Sequence, residues 1–178
     1  MTPQQIEDLD FTRKLNKNEL LTILKREAAK IDINKIMLAT TFLREDAKYM
    51  QSPYREEYIE RFSKAFFARI KDVKGDEENY KGLVDLNKLQ EFLDVLKNQE
   101  KEAKSKAELC FLKIARIIAI YTTFIREESI HPVGTKFPGG FELRFVNGNY
   151  LCPVKEKQMK TPSALCRFCV SVQDESVD

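Results

Sequence analysis

Glycine and proline are spread so unevenly along this chain that they divide it before any other property is considered. Up to residue 128 there are two of the six glycines and two of the six prolines, whereas four of each fall between His131 and Pro162. Glycine costs backbone entropy in a helix and proline removes a hydrogen-bond donor, so the first stretch can be helical and the second cannot. Apolar residues in the first stretch recur at spacings of three and four, the period of a helix with one buried face. The expected fold is therefore mainly α. A bundle of about five helices occupies residues 1–128 and a Gly/Pro-rich cap with a small β-hairpin and the Cys/His segment occupies 129–173. A flexible tail follows at 174–178. A length of 178 residues suits a single domain, because a core of that size buries close to ~70% of the surface its unfolded chain exposes.

Helix one is expected from Asn18 to Ile31, with Leu20, Leu21, Leu24, Ala28 and Ile31 facing inward. Asp32 is a natural N-cap for helix two, whose Ile33, Ile36, Met37, Thr40 and Leu43 repeat the pattern. Gln51-Ser52-Pro53 breaks that helix and opens helix three, with Ser52 as cap and Pro53 at the first helical position. Tyr58, Phe62, Ala65, Phe66 and Ile70 would then face the core. The acidic run from Gly75 to Gly82 reads as an exposed linker, and Asp85 caps a fourth helix carrying Leu89, Phe92, Leu93 and Leu96. Helix five, from about Ser105 to Glu128, is apolar around most of its circumference, with Lys106, Lys113, Arg116, Thr123 and Glu127 as its polar stripe. It belongs at the centre of the bundle.

Beyond Glu128, Phe141–Val146 and Asn149–Cys152 flank Asn147-Gly148, a pair that supplies the positive φ angles of a two-residue hairpin turn. That turn pairs Phe145 with Tyr150 and Leu143 with Cys152, which puts these four on one face. Cys166-Arg-Phe-Cys169 holds two thiols three residues apart, and His131, the only histidine, begins the irregular segment. Three thiolates and one imidazole make a complete tetrahedral set for zinc, so His131, Cys152, Cys166 and Cys169 are the expected metal ligands. The same residues could hold an iron–sulfur cluster, or Cys166 and Cys169 could be a redox pair. Plain buried thiols, and a histidine that caps the end of helix five, are the structural alternatives. Cys110 shares a helical stripe with Ile114, Ile117, Tyr121 and Phe124 and reads as a core residue.

Other classes find less support. Thirty basic and 28 acidic residues nearly cancel, so no strong field draws phosphates or anionic lipids. Lys155, Lys157, Lys160 and Arg167 form a modest basic cluster, which admits nucleic acid as a partner without favouring it. Arg44, Glu45, Asp46, Arg55, Glu56 and Glu57 read as salt-bridged helix ends. Gly134–Gly140 lacks the Lys-Ser/Thr of a phosphate loop and leads into a strand, so it is read as a turn. One histidine supplies no Ser-His-Asp set. The N-terminus lacks a secretory signal, and the apolar run Ile114–Ile125, interrupted by Arg116, is too short to cross a bilayer; a cytoplasmic chain with no membrane partner is expected.

The blocks HPVGTKFPGGFELRF, YLCPVKEKQ and TPSALCRFC resemble the C-terminal signature of an uncharacterised archaeal family best represented in methanogens, domain of unknown function 2115. TFLREDAKYM and SPYREEYIERF resemble its helical part, so the likeness runs from about Leu20 to Gln173. The resemblance implies a cytoplasmic archaeal protein and supplies no activity, ligand set or catalytic residue. The residues themselves point to a zinc-stabilised binding or regulatory module, and they do not decide whether the chain is an enzyme.

Overall fold

A computed structural model describes residues 5–177. Four of its long helices begin on side-chain caps. Before α1 (Lys17–Ala29), Asn16 and Glu19 form a reciprocal capping box, each side chain accepting from the other's backbone N–H. Asp32, Asp85 and Ser105 cap α2 (Ile33–Asp46), α4 (Leu86–Glu102) and α5 (Lys106–Ile120), each accepting the amide three residues on. These bonds satisfy donors that the first helical turn leaves orphaned. In α3 (Tyr54–Gly75), Pro53 takes the cap position and no side-chain bond closes it, so Ser52 falls outside the helix it was expected to cap.

α5 lies at the centre and packs against α1, α2, α3 and α4. Its Ile114, Ile117, Ile118 and Ile120 are buried among Leu20 and Leu24 of α1, Ile36 and Ala39 of α2, Phe66 and Ile70 of α3, and Leu89 and Phe92 of α4. Each such side chain contributes about 1.5–3 kcal/mol by leaving water. On α2 the inner face is Ile36, Ala39 and Leu43, while Ile33 and Met37 are exposed. Packing chiefly on α5 buries one narrow line of α2, and the wider stripe expected from hydrophobicity overshoots it.

Arg116 corrects the expected polar stripe of helix five. It is buried and pairs with Glu27 at 3.0 Å and with Glu7. Glu27, itself buried, also accepts the Ile6 amide at 2.9 Å. A charge reads as surface from one helix alone because its partners come from elsewhere in the chain. The fifth helix also changes character: after Ile120 it continues as a π-helical segment, Tyr121–Arg126, and ends at Glu127, whose φ of 54° is left-handed.

In the cap, β1 (Arg144–Val146) and β2 (Asn149–Cys152) pair antiparallel with Phe145 opposite Tyr150, and Asn147 and Gly148 take φ of 50° and 80°. The hairpin turn is the one expected. β1 begins at Arg144 because the backbone of Leu143 is already engaged, donating to Thr135 O and accepting from Gly134 N. Leu143 and Cys152 are buried, whereas Phe145 is exposed and its ring lies 4.6 Å from that of Tyr150. A third strand, β3 (Val172–Gln173), runs parallel to β2. Phe168 pins the cap to the bundle, edge-on to Phe92 with ring centroids 5.6 Å apart, and Arg144 forms an ion pair with the buried Asp174.

Candidate functional site

Two pieces of backbone deliver the cap's cysteines. Cys152 closes β2, and the short helix α6 (Lys155–Met159) leads to a 3₁₀ turn, Leu165–Phe168, that carries Cys166. Cys169 follows directly, its amide donating to Cys166 O at 3.1 Å. Because Phe168 is anchored in the core, this turn cannot drift from the bundle. Cys169 Sγ accepts the Ile130 amide and the Ser171 hydroxyl, both at 3.3 Å. Val154 and Ser171 act to lower the Cys152 pKa against its burial.

Burial pushes the Cys152 thiol up, and the Cys169 sulfur adds to the rise. Burial, then the Cys169 and Cys152 sulfurs, push Cys166 up to about 11. Cys152 and Cys166 are therefore protonated at neutral pH, and their thiolate forms here require a cation.

One cation is already built in. Lys155, counted with the exposed basic cluster in the sequence reading, is only 8% exposed. Its Nζ donates to the carbonyls of Cys166 (3.0 Å), Arg167 (3.3 Å) and Cys169 (2.7 Å). Burial pulls its pKa down, while Cys169, Cys166 and Cys152 act to raise it. Arg167 is half-buried with its guanidinium over its own Phe168 ring, so Lys157 and Lys160 are the exposed cations of the four.

The imidazole of His131 sits edge-on between Phe62 and Phe137, with ring centroids at 5.9 and 5.5 Å. Burial pushes its pKa down to about 4, which leaves the ring neutral at pH 7. His131 thus sits between two aromatic rings beside Ile130, whose amide reaches Cys169, and β2 with its terminal Cys152 pairs with the strand that follows Cys169. Among the described residues, no group of three or more His, Cys, Asp or Glu side chains is arranged to hold a metal ion. Cys110 is half-buried rather than fully buried, and its thiol donates to Lys35 O of α2 at 3.2 Å.

A second polar locus had no motif to announce it. Asp76, in the stretch expected to be an exposed linker, is buried and accepts the Tyr80 and Tyr121 hydroxyls at 2.8 and 2.7 Å. Burial works to raise its pKa, but Tyr121, the Glu78 amide and Tyr80 together hold it below the usual value. Arg126 donates to Tyr80 OH at 3.1 Å, and Arg126 and Arg69 both grip Glu128, at 2.7 and 3.0 Å. This seam ties α3, the π-helical segment and the cap together.

The family described as "Uncharacterized protein conserved in archaea (DUF2115)" matches residues 16–174. The chain belongs to this family. The matched DUF2115 span takes in everything from the α1 capping box to Asp174, and so includes His131, Lys155 and the three grouped cysteines. The chain is similar to a UPF0305 protein of Methanothermobacter thermautotrophicus, 53% identical over 89% of this chain and 97% of the relative. It is also similar to UPF0305 protein MJ0646 of Methanocaldococcus jannaschii, 32% identical over 85% of this chain and 93% of the relative. No solved structure matches it. No helix among the described residues is long and apolar enough to cross a membrane.

Proposed function

We propose that this DUF2115 chain is a binding or regulatory module whose cap is held in shape by a zinc ion on the thiolates of Cys152, Cys166 and Cys169. The observation that carries this reading is the parallel pairing of β2 with β3, which sets Cys152 beside the strand that follows the Cys166–Cys169 turn; the direction of the thiol pKa shifts agrees with it. Two further features support it. Amide and hydroxyl donors from Ile130, Val154 and Ser171 are aimed at the sulfurs, and such donors favour the thiolate form and orient ligands. Soft thiolate sets select zinc or an iron–sulfur cluster over hard cations. A redox Cys-x-x-Cys pair draws its reactivity from a lowered pKa, whereas Cys166 is raised.

His131 is the candidate for the fourth position. It is already in the neutral state a ligand needs, and it reaches the sulfurs only by leaving Phe62 and Phe137. The test is anaerobic purification with elemental analysis, followed by cobalt titration of the metal-free protein. Expected are one zinc per chain and a sulfur-to-cobalt absorption band that weakens in Cys166→Ser. A change of the visible cobalt bands in His131→Ala identifies the histidine as fourth ligand, and an unchanged spectrum removes it. Broad visible absorption of the isolated protein would mean a cluster in place of zinc, and no stoichiometric metal would end the metal reading.

A further inference from the structure

β3 is an outer strand of the cap's sheet. Val172 and Gln173 stand in register with Leu151 and Cys152, and the Asp174 amide donates to Cys152 O at 3.0 Å. In a parallel ladder alternate residues turn their backbone groups to opposite sides, so the N–H and C=O of Gln173 point away from β2. Residues 171–173 are Ser, Val and Gln, without the proline or lysine that keeps a strand edge from pairing. Beside this edge an open groove of about 580 Å³ lies between β3 and α6. Met159 and Val172 line it and are about half exposed. The groove is pre-formed, because Gln173 Oε1 accepts the Glu156 amide at 2.8 Å and its Nε2 donates to Pro153 O at 3.0 Å, which fixes α6 on β3.

The charges along the groove say what fits it. Glu156 and Lys160 both line it, one helical turn apart and in the order that favours an ion pair along a helix. Yet neither side chain forms an ion pair with any described residue. A uniformly acidic or basic partner would satisfy one of these charges and oppose the other, whereas a surface that meets its own image under a two-fold axis satisfies both. We propose that the groove between β3 and α6 is a self-association surface whose occupant is the same groove of a second copy of this chain. A two-fold axis beside β3 sets the two β3 strands antiparallel, and each Gln173 then exchanges N–H···O=C bonds with its image. Met159 and Val172 of both copies cover one another, and Lys160 of each copy meets Glu156 of the other. No cysteine or histidine takes part, so the inference stands apart from the metal reading.

Charge reversal tests the reciprocity. Dimer affinity is measured by analytical ultracentrifugation of the full chain as purified, with hydrogen exchange over residues 144–174 reporting the fold of each variant. The native chain is expected to dimerise. Lys160→Glu and Glu156→Lys each set like charges together at both contacts and should weaken the dimer at least about tenfold. Mixing the two single variants restores opposite charges at both contacts, and so does the doubly reversed chain; each should recover dimerisation to within about threefold of native. A native monomer overturns the inference and leaves the groove to an unlike partner. A dimer indifferent to both single reversals, or one that neither mixing nor double reversal rescues, overturns it as well. If a single variant loses protection over 144–174, the doubly reversed chain decides: native-like dimerisation supports the inference and a tenfold loss overturns it.

Discussion

Replacing Arg116 with leucine should destabilise the bundle by about 3 kcal/mol, at the low end of the cost of stranding one partner of a buried ion pair. The carboxylate left behind is Glu27, 7% exposed at its side chain, while Glu7, 48% exposed, is rehydrated at little cost. Glu27 keeps the Ile6 amide, which argues for the lower figure. For a chain of this size the loss lowers the midpoint of thermal unfolding by roughly 6–12 °C. Urea denaturation of the native chain, Arg116→Leu, Glu27→Leu and the double variant measures it directly. The double variant should recover most of the stability, because an apolar pair strands no charge. A loss below about 1 kcal/mol, or a double variant no better than Arg116→Leu, would refute the pairing.

Three other outcomes are expected. Phe168→Ala, which empties a buried site against Phe92, should cost about 3–5 kcal/mol by chemical denaturation and release the cap in hydrogen exchange ahead of the helices. In the metal-free protein, His131 has a folded pKa of about 4, below the ordinary 6.5. Between those values the unfolded chain binds more protons, so stability is full above about 6.5 and falls as pH drops toward 4; His131→Phe should flatten that slope in unfolding curves taken across the window. Removal of metal by chelator should lower amide protection around residues 152–171 and leave α1 to α5 intact, and unchanged protection after proven metal loss would show that Phe168 and the Arg144–Asp174 pair suffice.

What could be read from sequence was what is local. Asp32, Asp85 and Ser105 mark helix starts because a cap acts within three residues, and Asn147-Gly148 specifies its turn by the φ angles those two residues tolerate. What escaped depends on distant chain. The burial of Arg116 needs Glu27 and Glu7, the buried face of α2 is set by α5, and Asp76 is held by Tyr121 from the end of the fifth helix as well as by nearby Tyr80. Lys155 looked like a surface cation because its neighbours in sequence are charged; its partners are carbonyls, which no sequence pattern displays. The side chain of His131 was expected among the sulfurs, yet Phe62 and Phe137, 69 residues before it and six after, surround it.

The π-helical segment at Tyr121–Arg126 also sets the phase of everything downstream. An α-helix turns about 100° per residue, and a wider i→i+5 turn takes up extra chain without advancing the screw to match. The Glu127 and Glu128 amides both close on Thr122 O, so the chain leaves the core pointing where that loosened turn aims it. Deleting one residue between Thr122 and Ile125 would take up that slack and keep the phase, whereas winding the same residues as plain α-helix would turn Glu128 by roughly 100° away from Arg69. The cap, clocked to the bundle through that single turn, would then present its cysteines to a different side of the molecule.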